Sequence, residues 1–127
     1  MNIAFVVGIS KYERASALPA CENDARRMGE LLIATGKYDE VLCVQGHNTS
    51  ANDVKTNLRR LVQRHRGSRI DEAFIYFSGH GTFVGEAYLC CSDFNAACPA
   101  GTSLSNGEID ELLRGLAPEV AVKVLDA

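Results

Sequence analysis

The chain has 127 residues, 46% of them hydrophobic and 23% charged, with a net charge of −3. This length and apolar content suit one domain, or most of one, with a real core, and the mild acidity disfavours nucleic acid or an anionic membrane as partner. No run approaches the roughly 18 apolar residues of a membrane span. Met1 to Gly8 lacks a basic n-region and a cleavage site, so the expected compartment is the cytoplasm.

Strands and helices alternate along the chain. Ile3 to Gly8 (IAFVVG) reads as a buried strand beginning near the amino terminus. A loop over Ser10 to Pro19 leads to a helix over Cys21 to Thr35, whose apolar positions are Ala25, Met28, Leu31, Leu32 and Thr35; Gly36 ends it. Glu40 to Val44 is a short strand. Ser50, with Asp53 three residues on, caps a second helix with the stripe Val54, Leu58, Leu61, Val62 and His65, ended by Gly67. Asp71 to Ser78 is the third strand. Thr82 to Ser92, with Gly85 inside it, predicts a hairpin, and Asn95 to Thr102 a loop. Ser105 and Glu108 form a capping box for a helix through Leu116, with Ile109, Leu112, Leu113 and Leu116 facing the core. Pro118 follows its end, and Val120 to Leu125 is the last strand. Such β-α-β units imply parallel strands joined by right-handed crossovers. The last strand is expected to lie centrally, because a sheet ending on it would leave an apolar edge unpaired. On this reading the domain is incomplete at its carboxyl end.

Five cysteines are present: Cys21, Cys43, Cys90, Cys91 and Cys98. Their odd number and the lack of any C-x-x-C pair argue against a disulfide framework or a zinc site. Buried free thiols are the plain reading, with Cys21 set apart because it neighbours other candidate site residues.

The chemistry concentrates in Phe74-Ile75-Tyr76-Phe77-Ser78-Gly79-His80-Gly81. Four large apolar residues in a row mark a strand buried on both faces. His80 follows at its carboxyl end, where open α/β sheets hold their ligands, and the flanking glycines allow a sharp turn and a close approach. A histidine there suits a general base or acid. It needs a nucleophile within reach. Cys90 and Cys91 are weak candidates, since hairpin alternation buries at least one of them. The end of the last strand is the better place. His47 in a polar loop and His65 on an arginine-rich helix read as surface or structural residues.

Five segments, AFVVGISKY (4–12), LPACENDARRM (18–28), FIYFSGHG (74–81), YLCCSDF (88–94) and VLDA (124–127), resemble the caspase-like cysteine peptidases, nearest to metacaspases and their bacterial relatives such as orthocaspases. The resemblance runs end to end. It implies a three-layer α/β sandwich around a mainly parallel sheet, with residues 1–127 as the large-subunit portion. It makes His80 the base of a Cys-His dyad and puts the nucleophilic cysteine directly after Ala127. The Gly81 N–H and that of the cysteine would form the oxyanion hole. The remaining small-subunit segment of the same protein would be a necessary partner, so the 127 residues alone are expected to be inactive. By the family pattern Asp24, Ser78 and Asp126 line the pocket for the residue before the scissile bond. Two carboxylates and a hydroxyl there favour a peptide or protein substrate with Arg or Lys at that position.

Animal caspases use arginines to bind aspartate instead, and Arg14 lies in the corresponding loop, but its spacing to Asp24 is too long for that pattern. The resemblance also raises Ca2+ as an activator, with Asp93 as one ligand; a single carboxylate is not a site. The basic stretch from Lys55 to Arg69 reads as a solvated helix face. Two competing functions are a catalytically inactive caspase-like scaffold that binds partners and a flavodoxin-like small-molecule binder. The latter lacks a glycine-rich phosphate loop after the first strand.

Overall fold

A computed structural model describes residues 1–127. Four strands, β1 (Asn2–Gly8), β2 (Glu40–Val44), β3 (Glu72–Ser78) and β7 (Val120–Asp126), form one sheet. All its pairings are parallel, in the order β2-β1-β3-β7. Three short strands, β4 (Gly81–Phe83), β5 (Ala87–Cys90) and β6 (Ser103–Ser105), form a separate antiparallel sheet. The helices are α1 (Pro19–Ala34), α2 (Ala51–Arg64) and α3 (Asn106–Leu116).

Alternating residues of the parallel strands feed two cores, as the period of two in a strand requires. Ile3, Phe5, Val7, Ala73, Ile75 and Phe77 face α2 and α3, where they meet Val54, Leu58, Leu61, Ile109 and Leu113. Ala4, Val6 and Tyr76 face α1 and meet Ala25 and Leu32. The result is the expected three-layer sandwich. Truncating Phe5 or Phe77, each 1% exposed, to alanine would cost about 3–5 kcal/mol.

The predicted caps form. Ser50 accepts from the Asp53 N–H, and Ser105 and Glu108 close both arms of their capping box. Helix α1 starts two residues earlier than predicted, because Pro19 suits a first turn that needs no N–H. Its buried face is Ala25, Gly29 and Leu32, with Leu31 60% exposed. Gly29 replaces Leu31 in the stripe because the helix lies close to β2: a Cβ at Gly29 would stand 2.5 Å from the Cys43 sulfur. Strand β6 has no counterpart in the predicted elements. Strand β7 pairs on one side only, with β3, so the central position expected for it is not realised within these residues. Val120, Val124 and Leu125 are exposed along it.

Candidate active site

The chain runs from β1 outward to β2, then returns past β1 to β3. Right-handed crossovers in opposite directions put α1 and α2 on opposite faces. The loops leaving β1 and β3 therefore diverge and open a crevice at their carboxyl ends. Ile9 extends the ladder by donating its N–H to the Ser78 carbonyl at 2.9 Å. Ser10 then folds the loop back: its carbonyl accepts from the Leu18 N–H at 2.8 Å, and its Oγ accepts from the Glu22 N–H at 2.9 Å. This brings Tyr12 and Ser16 over the end of β3.

His80 stands two residues beyond β3 and is held on three sides. Its N–H donates to the Tyr12 hydroxyl at 2.8 Å, and its carbonyl accepts from the Cys90 N–H at 2.9 Å. Its Nε2 lies 2.7 Å from the Ser16 carbonyl oxygen. A carbonyl can only accept, so Nε2 carries a hydrogen, and in the neutral imidazole the lone pair is on Nδ1. The Tyr12 ring packs edge-on to the imidazole, with centroids 4.6 Å apart. The two glycines serve by lacking a side chain, since neither adopts a left-handed conformation. A Cβ at Gly79 would stand 2.5 Å from the Tyr12 hydroxyl, and one at Gly81 would stand 2.7 Å from the Ala127 Cβ. The Gly79 N–H also donates to the Asp126 carbonyl at 3.2 Å. The end of β7 is thus fastened to the His80 turn.

On the α1 face, Ser78 and Asp126 are register partners of the β3–β7 pair, so both project to the same side. Tyr76, two residues before Ser78, lies beneath them. Burial pushes its phenol up, the hydroxyl of Ser78 pulls it partly back, and the charges of Asp24 and Asp126 raise it further, with Cys21 also in range. Asp24, Asp126 and Cys21 are thus near enough to Tyr76 for their charges to act on its phenol, and Ser78 is near enough to bond to it. Ser78 is 1% exposed; Asp24 and Cys21 are half-buried and Asp126 is exposed. Neither Asp24 nor Asp126 belongs to any ion pair of the chain.

Other candidates are committed elsewhere. Cys90 and Cys91 are both buried, at 2% and 0% exposure. Burial raises the Cys90 thiol and pushes that of Cys91 up to about 12, which leaves both protonated and poor nucleophiles. Arg14 bonds to Glu13 and to the Asp93 carbonyl. Asp93 accepts from the Ala51 N–H at 2.9 Å and so completes the amino end of α2. No group of three or more His, Cys, Asp or Glu side chains gathers as cation ligands would. His65 pairs with Glu40 at 2.7 Å, and Lys55, read as part of a solvated face, is 13% exposed between Glu108 and the Ala100 carbonyl. Tyr12 and Tyr76 lie within the segments AFVVGISKY and FIYFSGHG and Ser16 lies outside them, and sequence reasoning assigns none of the three a role at the site. Only the fold-back of the 10–18 loop and the parity of β3 bring them there.

A family model for the caspase domain, peptidase family C14, matches residues 1–127. Among solved structures the chain is similar to the crystal structure of protein GSU0716 from Geobacter sulfurreducens, with a TM-score of 0.73 at 20% identity. At that identity the likeness is one of fold. It covers 98% of this chain and 49% of the other, so the chain spans about half the length of the structure it matches. No curated protein matches the sequence. No helix is long and apolar enough to cross a membrane.

Proposed function

The chain belongs to the caspase-domain family of peptidases, and on that premise we propose that it is the histidine-bearing portion of a cysteine endopeptidase that cleaves after Arg or Lys. One observation carries the reading. The carboxyl end of β7 is bonded to the His80 turn and packs on Gly81, so a cysteine directly after Ala127 would emerge beside the imidazole.

Each part then has a task. Nδ1 of His80, the nitrogen not engaged by Ser16, accepts the thiol proton. The thiolate attacks the peptide carbonyl, and its oxygen takes up negative charge beside the Gly81 N–H. The protonated imidazole gives the proton to the leaving amine, and water then releases the acyl group. Asp24 and Asp126, unpaired within the chain, together with the Ser78 hydroxyl hold the cationic side chain that precedes the scissile bond. Each charge-assisted contact is worth about 1.5–3 kcal/mol. The segment after Ala127 belongs to the cleft and supplies the small-subunit portion.

The test is to label the natural full-length protein with an arginyl acyloxymethyl ketone and locate the adduct by mass spectrometry. Modification of a cysteine directly after Ala127 is expected. An adduct on Cys21, Cys43 or Cys98, or none at all, would overturn the reading, and the absence of an adduct would favour a partner-binding scaffold.

A further inference from the structure

We propose that Tyr12 is a positioning residue for His80: its hydroxyl bridges the histidine turn to strand β5, and its ring fixes the plane of the imidazole. The inference rests on His80 being the general base.

The geometry separates this role from ordinary packing. The Tyr12 hydroxyl uses both its capacities at once, accepting from the His80 N–H at 2.8 Å and donating to the Cys90 carbonyl at 3.1 Å. The His80 carbonyl in turn accepts from the Cys90 N–H. That bond continues the β4–β5 register, in which Gly81 faces Leu89, by one residue, and the Tyr12 hydroxyl sits between the two groups left over at its end, the His80 N–H and the Cys90 carbonyl, closing them into a ring of hydrogen bonds through one side chain. The phenol hydrogen must be present for this, and burial, the largest influence on the group, drives its titration far above the physiological range. The edge-on ring contact at 4.6 Å limits rotation of the imidazole, while the Ser16 carbonyl, from the same loop as Tyr12, holds Nε2. The space at Gly79 is occupied by this hydroxyl, so the Ser-Gly-His-Gly sequence and Tyr12 are complementary parts of one device. Without the hydroxyl, the His80 N–H and the Cys90 carbonyl lose their partner, and the turn that aims the base is released. A displacement of the order of 1 Å at a reacting group costs up to about 100-fold in rate.

Tyr12→Phe keeps the ring and removes only the bridge. In the natural full-length protein its kcat on an Arg-peptide should fall about 10- to 100-fold with KM within about twofold. Exchange of the His80 backbone amide, followed by NMR, should accelerate at least about tenfold. Tyr38→Phe is the control. It removes a comparable hydroxyl bond, to Glu72, at the opposite end of the sheet, and should leave kcat and the His80 amide unchanged. Tyr12→Leu, which also removes the ring, should lose more kcat than Tyr12→Phe. Wild-type kcat in Tyr12→Phe, a change confined to KM, or unchanged protection of the His80 amide would each overturn the positioning role. Wild-type turnover in His80→Ala would instead overturn the underlying assignment. The amide measurement reads the bridge whether or not the protein cleaves peptides.

Discussion

The two ends of the parallel sheet treat charge in opposite ways. At the amino end nearly every charged group is satisfied within the chain. The Met1 ammonium pairs with Asp71 at 2.8 Å, Glu72 with Lys37 and Tyr38, Glu40 with Arg64 and His65, and Glu119 with Arg69 at 2.8 Å. At the carboxyl end Asp24 and Asp126 have no cationic partner, and His80 is held by a carbonyl and a phenol rather than by a carboxylate. Charges closed on one another serve the fold. Charges left open at a crevice have binding capacity to spare, and an imidazole not paired with a carboxylate keeps one nitrogen for proton transfer.

This contrast can be broken most severely at the two histidines. His80→Ala should abolish peptide cleavage by the natural full-length protein, a loss of at least about 100-fold, with little change in thermal midpoint. His65→Ala should do the reverse, lowering the midpoint while kcat/KM stays within about twofold. Turnover that survives the first substitution or collapses with the second would erase the distinction.

Next in size are the open carboxylates. Asp24→Ala and Asp126→Ala should each lower kcat/KM on Arg-peptides at least about tenfold, from the loss of one charge-assisted contact. Neither should destabilise the fold, since neither carboxylate has an intramolecular pair to lose. Unchanged kinetics in both would remove the pocket from the account.

The closed end sets the smaller effect, a dependence of stability on acid. The bond from the amino terminus holds the Asp71 carboxyl below its ordinary range, and bonds from Tyr38 and then Lys37 do the same for Glu72. Burial pushes Glu40 upward, but Arg64 and His65 together outweigh it, and its carboxyl also lies low. A carboxyl depressed on folding stabilises the native state above its unfolded value. That contribution is lost as pH falls through the folded value. The thermal midpoint should therefore hold near neutrality and decline below about pH 4. In Glu40→Gln/Glu72→Gln it should start lower and decline less steeply. A parallel decline in the double variant would show that these pairs do not carry the effect.

Much of this was legible in the sequence, for particular reasons. Apolar runs bounded by turns announced β1 and β3, because strands buried on both faces need little else, and the same kind of run announced β7, which lies exposed at the sheet edge. Ser50 with Asp53, and Ser105 with Glu108, marked the starts of α2 and α3 by the chemistry that satisfies free N–H groups. His80 was conspicuous between its glycines. The errors arose where packing overrides pattern. Leu31 fitted the stripe of α1, but the close approach of that helix to β2 puts Gly29 there instead. The three residues of β6 are too few for a period, and a loop that becomes an edge through pairing with β5 leaves no local mark. Tyr12, Ser16 and Tyr76 were given no role because their places depend on contacts that span the chain, such as the one between Tyr12 and His80, 68 positions apart.

The most direct test of the central claim is kcat/KM of the natural full-length protein on matched fluorogenic peptides bearing Arg, Lys, Ala or Asp before the scissile bond. Arg and Lys peptides should be cleaved at least about 100-fold better than Ala or Asp peptides, as two charge-assisted contacts require. Equal cleavage of all four, a preference for Asp, or no cleavage of any would contradict the claim.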